Sequence, residues 1–479
     1  MTAQSDRRWA TALVGAILIT LAAARVSNAQ RKFETLVSFD GTNGKYPGYM
    51  SLVQGPDGNL YGTTYYGGAD DCGTVFRLTP AGGLRTLYSF DYTYGCYPNA
   101  GLVLGTDGNL YGTAFSGNSI GGYGTVFKIT LEGTVTLLYS FDGFYASSPD
   151  APLVQGTDGD FYGTTELGGG PEGAGTVFKI TPGGTLTTMY TFCSQIGCAD
   201  GGQPLAALVQ ATDGNFYGTT FEGGTNFYGT VFKITPAGTL TTLHSFDLTD
   251  GAYPIGALVQ AAGNFYGTTS GGGASTACQG FACGTVFKIT PAGTLTTLHS
   301  FDSTDGSYPL GALVEAAGNF YGTTSEGGAN GYGTVFKMAS TGALTTLHSF
   351  ALSDGAQPQA ALVQSTNGSF YGATLEGGAN SCDPIIHSGC GTLYRLTAGL
   401  SPFVEALPTS GQVGAAIKIL GTNLTGASSV TFNGVSTAFK LVSPSEIETK
   451  VPPGATSGLV QVVTPGGTLR SNVPFRVIP

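Results

Sequence analysis

Charge is scarce in this chain, tryptophan all but missing and histidine rare. Asp, Glu, Lys and Arg make up 10% of the 479 residues, with one Trp and four His. A disordered chain would carry more charge and fewer rings than the 24 Tyr and 28 Phe found here. The 78 Gly follow no G-X-Y period, which excludes a collagen-like rod. Basic residues are too few for nucleic acid: the formal net charge is −11, and an acidic surface repels phosphate backbones. No Cys pair is spaced as CxxC, which argues against a zinc ribbon. What remains abundant is Thr, Val, Tyr, Phe and Gly, a composition that favours strands joined by tight turns.

Residues 1–29 read as an export signal. Arg7 and Arg8 precede the apolar run Trp9 to Ala24, and Ser27-Asn28-Ala29 offers small residues for cleavage. An uncleaved anchor is the alternative, although the run is short for a spanning helix. Cleavage would remove Arg7, Arg8, Arg25 and Asp6, three positive charges and one negative, taking −11 to −13. No later stretch is long and apolar enough to cross a membrane, so the expected location is secreted or cell-envelope. Eight Cys in such a chain point to disulfides. Spacing suggests Cys193 with Cys198, Cys278 with Cys283 and Cys382 with Cys390, leaving Cys72 and Cys96.

Internal repetition organises everything else. Tyr-Gly pairs recur at Tyr61, Tyr111, Tyr162, Tyr217, Tyr266, Tyr321 and Tyr371, at intervals of 50, 51, 55, 49, 55 and 50 residues. One unit, starting at Ala207, contains four short apolar runs: ALVQA, NFYGTT, GTVFKIT and TLTTLHSF. Asp213-Gly214-Asn215 turns the first run into the second, because these residues accept positive φ. Pro236-Ala237-Gly238 turns the third into the fourth. Phe232 and Ile234 share one face, while Val231 and Lys233 share the other, the period of a strand. Each unit is thus a four-stranded meander, the size of a propeller blade.

The strand count predicts how the array ends. The seventh GTVFKIT-type run, Gly391 to Leu396, has no fourth strand after it, yet an orphan fourth strand, Phe33 to Phe39, precedes the first unit. The expectation is an all-β, seven-bladed β-propeller over residues 30–399, closed by its N-terminal strand. An open array would leave unpaired edges. The DGN and PAG turns then lie on one face and the longer loops, with every Cys, on the other.

The long repeat DGNxYGTTxxGGxxxxGTVFKITPxGTLTTLxSF, spanning roughly residues 33–397, resembles the GloVer tandem-repeat proteins, an exported bacterial family described by its repeat and by varied C-terminal anchors. This chain departs from that pattern, since a further segment follows and no sorting tail is evident. Pro408-Thr409-Ser410-Gly411, Ile419-Leu420-Gly421-Thr422-Asn423, Ser429-Val430-Thr431-Phe432 and Val451-Pro452 resemble an IPT/TIG domain. That resemblance implies an immunoglobulin-like sandwich over residues 400–479.

Catalytic constellations are hard to assemble. His244, His299 and His348 share one repeat position with Tyr88, Tyr139 and Tyr190, which marks them as structural. His387 is unique to its loop and is a candidate ligand contact. Asp247 with Asp250, and Asp302 with Asp305, offer spaced carboxylates that calcium would accept; capping of their own turns is the simpler reading. No GxSxG elbow has fitting partners, and no phosphate-binding loop occurs. Aromatic residues peculiar to one blade are better candidates: Tyr65, Tyr66, Tyr92, Tyr94, Phe144, Tyr145, Phe227 and Phe281 all fall in long loops. These observations favour a non-enzymatic, monomeric exported protein that needs no cofactor or metal and contacts an extracellular glycan or protein. A polysaccharide lyase or hydrolase is the alternative, and a structural spacer a third reading.

Overall fold

The computed structural model describes residues 32–478 except 49–50, 118–121, 144–145, 171–172, 279–282 and 383–387. The N-terminal segment 1–29 and the candidates Phe144, Tyr145, Phe281 and His387 lie outside the described residues.

Seven four-stranded antiparallel sheets are present, each built as the repeat predicts. Blade 4 is representative, with strands Val209–Gln210, Phe216–Thr220, Thr230–Ile234 and Leu240–Ser245. Phe216 pairs with Ile234, and Val231 with His244. A bulge between Val231 and Phe232 twists the outer strand, and the equivalent bulge recurs in the other blades. Blade 7 consists of Val363–Gln364, Phe370–Thr374, Thr392–Thr397 and, outermost, Lys32–Ser38. Phe33 pairs with Leu396 and Val37 with Leu393, so the orphan strand completes the last sheet.

Separate sheets must be held together by side chains, and the repeat supplies three devices. The Tyr of each Tyr-Gly is buried and packs on the residue preceding the next one. Ring centroids are 4.0 Å apart for Tyr111–Phe161 and for Tyr217–Phe265. Gly218 follows from that packing, since a Cβ there would lie 2.7 Å from Phe232 Cζ and 2.9 Å from Leu208 Cδ2. Next, Asp in the DGN turn accepts from the Tyr hydroxyl four residues later, at 2.8 Å for Asp57–Tyr61 and 2.9 Å for Asp213–Tyr217. Finally, a Gln on an inner strand accepts from a Thr amide in the preceding blade. Thr106, Thr157 and Thr212 donate to Gln155, Gln210 and Gln260. Thr366 of blade 7 donates to Gln54 of blade 1 in the same way, at 2.8 Å. Blades 7 and 1 also share a core of Phe39, Leu60, Phe76, Tyr371 and Leu393. Blade 7 is therefore joined to blade 1 by packing and side-chain links, while the N-terminal strand completes its sheet.

The following segment is a β-sandwich. One sheet orders Glu405–Leu407, Ala416–Leu420, Glu446–Lys450 and Phe439–Ser443; the other orders Val435–Thr437, Ser429–Phe432, Val460–Thr464 and Gly467–Arg470. Ile417, Ile419, Val430, Phe432, Ile447, Val460 and Phe475 fill the space between them. This immunoglobulin-like module rests on the short-turn face of the propeller. Ser445 Oγ donates to Pro56 O at 2.7 Å, Phe403 N to Thr366 O at 3.0 Å, and Thr366 and Thr422 hydroxyls meet at 2.8 Å. Beneath it lies a cavity of about 540 Å³, walled by inner-strand residues such as Gln54, Gln155 and Gln210 and by Glu405, Leu407 and Arg476 of the module. The long loops lie on the opposite face.

Candidate functional site

The opposite face carries the long loops, tied by four disulfides: Cys72–Cys96, which joins two loops, and Cys193–Cys198, Cys278–Cys283 and Cys382–Cys390, each within one. Four disulfides fit a chain that folds in an oxidising compartment. The linkers after blades 4, 5 and 6 also use a carboxylate clasp. Asp247 Oδ1 accepts from the Thr249 amide and hydroxyl and from Asp250 N, while Asp250 Oδ1 accepts from Asp247 N and Oδ2 meets His244 Nε2 at 2.7 Å. Asp302, Asp305 and His299 repeat the arrangement, and His348 meets Asp354 at 3.1 Å. These oxygens are occupied in tying the loop to the outer strand.

The loop entering each blade has an unusual turn. Tyr46, Tyr97, Ser148, Gln203, Tyr253, Tyr308 and Gln357, each directly before a proline, have φ between 54° and 60°. A side-chain-bearing residue there costs on the order of 1 kcal/mol or more. Flanking backbone bonds hold it, as in Tyr97 N to Cys72 O at 2.8 Å and Phe115 N to Tyr97 O at 3.0 Å. After this reversal, the residue beyond the proline reaches the mouth of the central channel in six of the seven blades. Asn99, Asp150, Leu205, Ile255, Leu310 and Gln359 line a cavity of about 390 Å³ there. Blades 7, 2 and 3 supply amide or acid, and blades 4 to 6 supply aliphatic side chains.

A second hollow, of about 460 Å³, opens beside that mouth. Tyr46, Tyr65, Tyr66, Phe115 and Leu375 wall it, with Asn99 and Glu376 at its edge. Tyr65 stands perpendicular to Tyr66 at 4.5 Å and stacks on Tyr97 at 5.3 Å. Tyr66 also meets Tyr97 at 5.2 Å, and Lys45 Nζ lies 5.5 Å from its ring centre. Asn99 belongs to both hollows and so joins groove to mouth. Its Nδ2 donates to Asp150 Oδ1, while its Oδ1 is buried with no partner among the described residues.

Burial pushes Asp150 above its usual range despite the bond from Asn99. Glu166, the first residue after Thr165 in blade 3, is pushed up by burial and then by the charge of Asp150. Burial likewise raises Glu376. Such groups suit hydrogen bonding to a polar ligand in either protonation state.

Of the aromatic residues singled out from sequence, Tyr65 and Tyr66 line the groove. Tyr92 reaches it only through Tyr97, hydroxyl to hydroxyl at 3.1 Å. Tyr94 packs on Tyr88 at 6.0 Å, and Phe227 stands 64% exposed elsewhere. Sequence reasoning passed over Asn99, Phe115, Asp150, Glu166 and Glu376. The column beyond each Tyr/Ser/Gln-Pro pair held the signal: polar in three blades, aliphatic in three, within an otherwise uniform repeat.

Comparisons with known proteins fit this architecture. The fold resembles a fungal alcohol oxidase of the AA5 family in complex with copper, at 13% identity and a TM-score of 0.52, over 94% of this chain and 100% of that one. A domain described as the extracellular part of a hybrid two component system from Bacteroides thetaiotaomicron gives 12% identity and 0.47, covering 93% of this chain and 58% of that one. A gluconolactonase from Xanthomonas campestris gives 14% and 0.38, covering 64% and 90%. At 13% identity the oxidase match speaks for the fold alone. Among the described residues no group of three His, Cys, Asp or Glu is placed to hold a metal ion. No curated protein matches the chain. A family model of the Gloeobacter/Verrucomicrobia repeat matches residues 22–201 and 169–386, and one of the IPT/TIG domain matches 402–477. With repeat matches running from residue 22 to 386 and all seven sheets present, the chain belongs to the Gloeobacter/Verrucomicrobia repeat family, its repeats followed by an IPT/TIG domain.

Proposed function

We propose that this is an exported carbohydrate-binding protein whose long-loop face takes the ligand in the tyrosine-walled groove. The observation that carries the reading is the chemistry of that groove. Rings supply flat apolar surface for sugar faces, and Asn99, Glu376 and Asp150 supply acceptors for hydroxyl donors. Few cations border it, which suits a neutral polyol better than an acidic peptide. The immunoglobulin-like module occupies the opposite face, which leaves this one accessible.

Calorimetry against a panel of soluble oligosaccharides tests the proposal. Tyr65→Ala and Tyr66→Ala should each weaken binding about tenfold or more, ~1.4 kcal/mol. Phe227→Ala, outside the groove, should leave it unchanged. Binding that tolerates both tyrosine changes would remove the groove from consideration.

A hydrolytic reading draws on one observation, the raised carboxyls of Asp150 and Glu166, near enough that the charge of the first acts on the second. It requires release of reducing ends from the same oligosaccharides, abolished in Glu166→Gln. A spacer would bind none of the panel.

A further inference from the structure

Two features of the long-loop face belong together: the tyrosine-walled hollow and a channel mouth that it meets at Asn99. The mouth is two-sided. Asn99, Asp150 and Gln359 form its polar half, and Leu205, Ile255 and Leu310 its aliphatic half. At the far end of the same channel the module lies across the inner strands, with Glu405, Leu407 and Arg476 bordering the cavity beneath it. A polymer therefore has no straight path through the ring. It can follow the groove, but only its terminus can turn down into the mouth.

We infer that the site recognises the end of a linear oligosaccharide, with the terminal sugar seated in the channel mouth and the following units lying along Tyr65 and Tyr66. The inference rests on the carbohydrate reading above and deepens it. In the mouth, the polar half formed by Asn99, Asp150 and Gln359 offers amide and carboxyl groups to the extra free hydroxyl that a terminal sugar carries and an internal, doubly substituted one lacks. Asp150, already held by Asn99 Nδ2, accepts or donates a second bond. Leu205, Ile255 and Leu310 cover the apolar face of the ring opposite. The groove alone would bind a chain anywhere along its length. Adding the mouth makes the end the preferred register.

Stoichiometry separates these cases. Cello-, malto-, xylo- and chitohexaose, and long soluble polymers of the same linkages, would be titrated into the full protein. End recognition predicts a fixed number of protein molecules per chain, the same for hexaose and polymer, and no binding of cyclomaltohexaose. Protein bound in proportion to polymer length overturns end recognition while the groove reading stands. Silence toward every glycan in the panel overturns both. Two variants add a structural check. Asp150→Asn keeps the shape and the Asn99 contact, and should weaken hexaose binding less than tenfold. Ile255→Trp, on the accessible wall, should block the mouth and weaken it at least tenfold, with an unchanged melting temperature confirming the fold. Full affinity in a folded Ile255→Trp protein contradicts the inference.

Discussion

At the scale of single residues, the tyrosine of each repeat does two jobs. Its ring fills the space between blades, and its hydroxyl fastens the Asp-Gly turn. Tyr217 donates to Asp213 Oδ2 at 2.9 Å, and Asn215 Nδ2 donates to the same oxygen at 2.7 Å. Burial pushes the Asp213 carboxyl up, but the bonds from Asn215 and Tyr217 and the nearby Lys233 outweigh it and leave the group below its usual range. A depressed folded pKa gives stability that is present above the unfolded value and lost as pH falls through the folded one. Tyr217→Phe should cost about 1 kcal/mol near neutrality, at the low end for a charged acceptor because Asp213 is exposed and keeps Asn215. That cost should shrink as acid protonates Asp213. Blade 7 offers the control, for Asn367 stands at the Asp position and donates to Tyr371 at 3.0 Å. Tyr371→Phe should show a cost that does not fade in acid. Urea unfolding of both variants at neutral and acidic pH measures the contrast.

Secondary elements explain what could and could not be read from the sequence. Runs such as TVFKIT alternate with a period of two and are bounded by Gly and Pro, so their strands were legible, as was the orphan strand that completes blade 7. The binding mouth was not, for a physical reason. Asn99, Asp150 and Gln359 are about one or several repeats apart in sequence and meet only because the blades converge radially. The left-handed turn that aims them inward, at Tyr97 for example, sits before proline, where an extended backbone is the ordinary expectation. Nor does a strand pattern say which face the module covers. Disulfides show the same division between local and distant. Cys278–Cys283 closes a loop of separation 5, whereas Cys72–Cys96 joins two different loops of separation 24. Chain entropy assigns about 2 kcal/mol to the first and about 3.5 kcal/mol to the second. Replacing Cys72 and Cys96 with Ala should therefore lower the denaturation midpoint more than replacing Cys278 and Cys283. Equal losses would mean that something other than loop closure sets their worth. Tyr97 is anchored by the Cys72 carbonyl, so the first change should also loosen the groove wall.

The whole molecule depends on the seam where its two sequence-distant ends meet. Blades 1 to 6 each form from consecutive chain, whereas blade 7 needs a strand from more than 350 residues away, a contact whose ordering entropy is large. Several interactions offset that cost. Phe33 stacks on His348 with centroids 3.6 Å apart and lies against Tyr394 at 5.2 Å. Arg395 donates to Glu34 at 2.7 Å and to Pro80 O of blade 1 at 3.0 Å, so one guanidinium ties the third strand of blade 7 both to its outer strand and to blade 1. Ser38 and Asn380 add bonds across the same strand. Deleting residues 32–39 would strip the outer strand from blade 7 and expose the ladder of Thr392–Thr397 as a free edge, which invites pairing between molecules. The expected outcome is a lower melting temperature and concentration-dependent aggregation seen by light scattering. The milder Phe33→Ala should retain the monomer while losing about 3 kcal/mol, the cost of emptying a packed aromatic site. A deletion variant that stays monomeric, with unchanged melting, would show that six blades and a three-stranded seventh suffice to hold the circuit. The groove offers an independent readout of the same event, because Leu375 and Glu376 come from blade 7 while Tyr65 and Tyr66 come from blade 1. If the seam is what keeps those two walls together, Phe33→Ala should weaken oligosaccharide binding even though Phe33 lies on the outer rim and touches no part of the site.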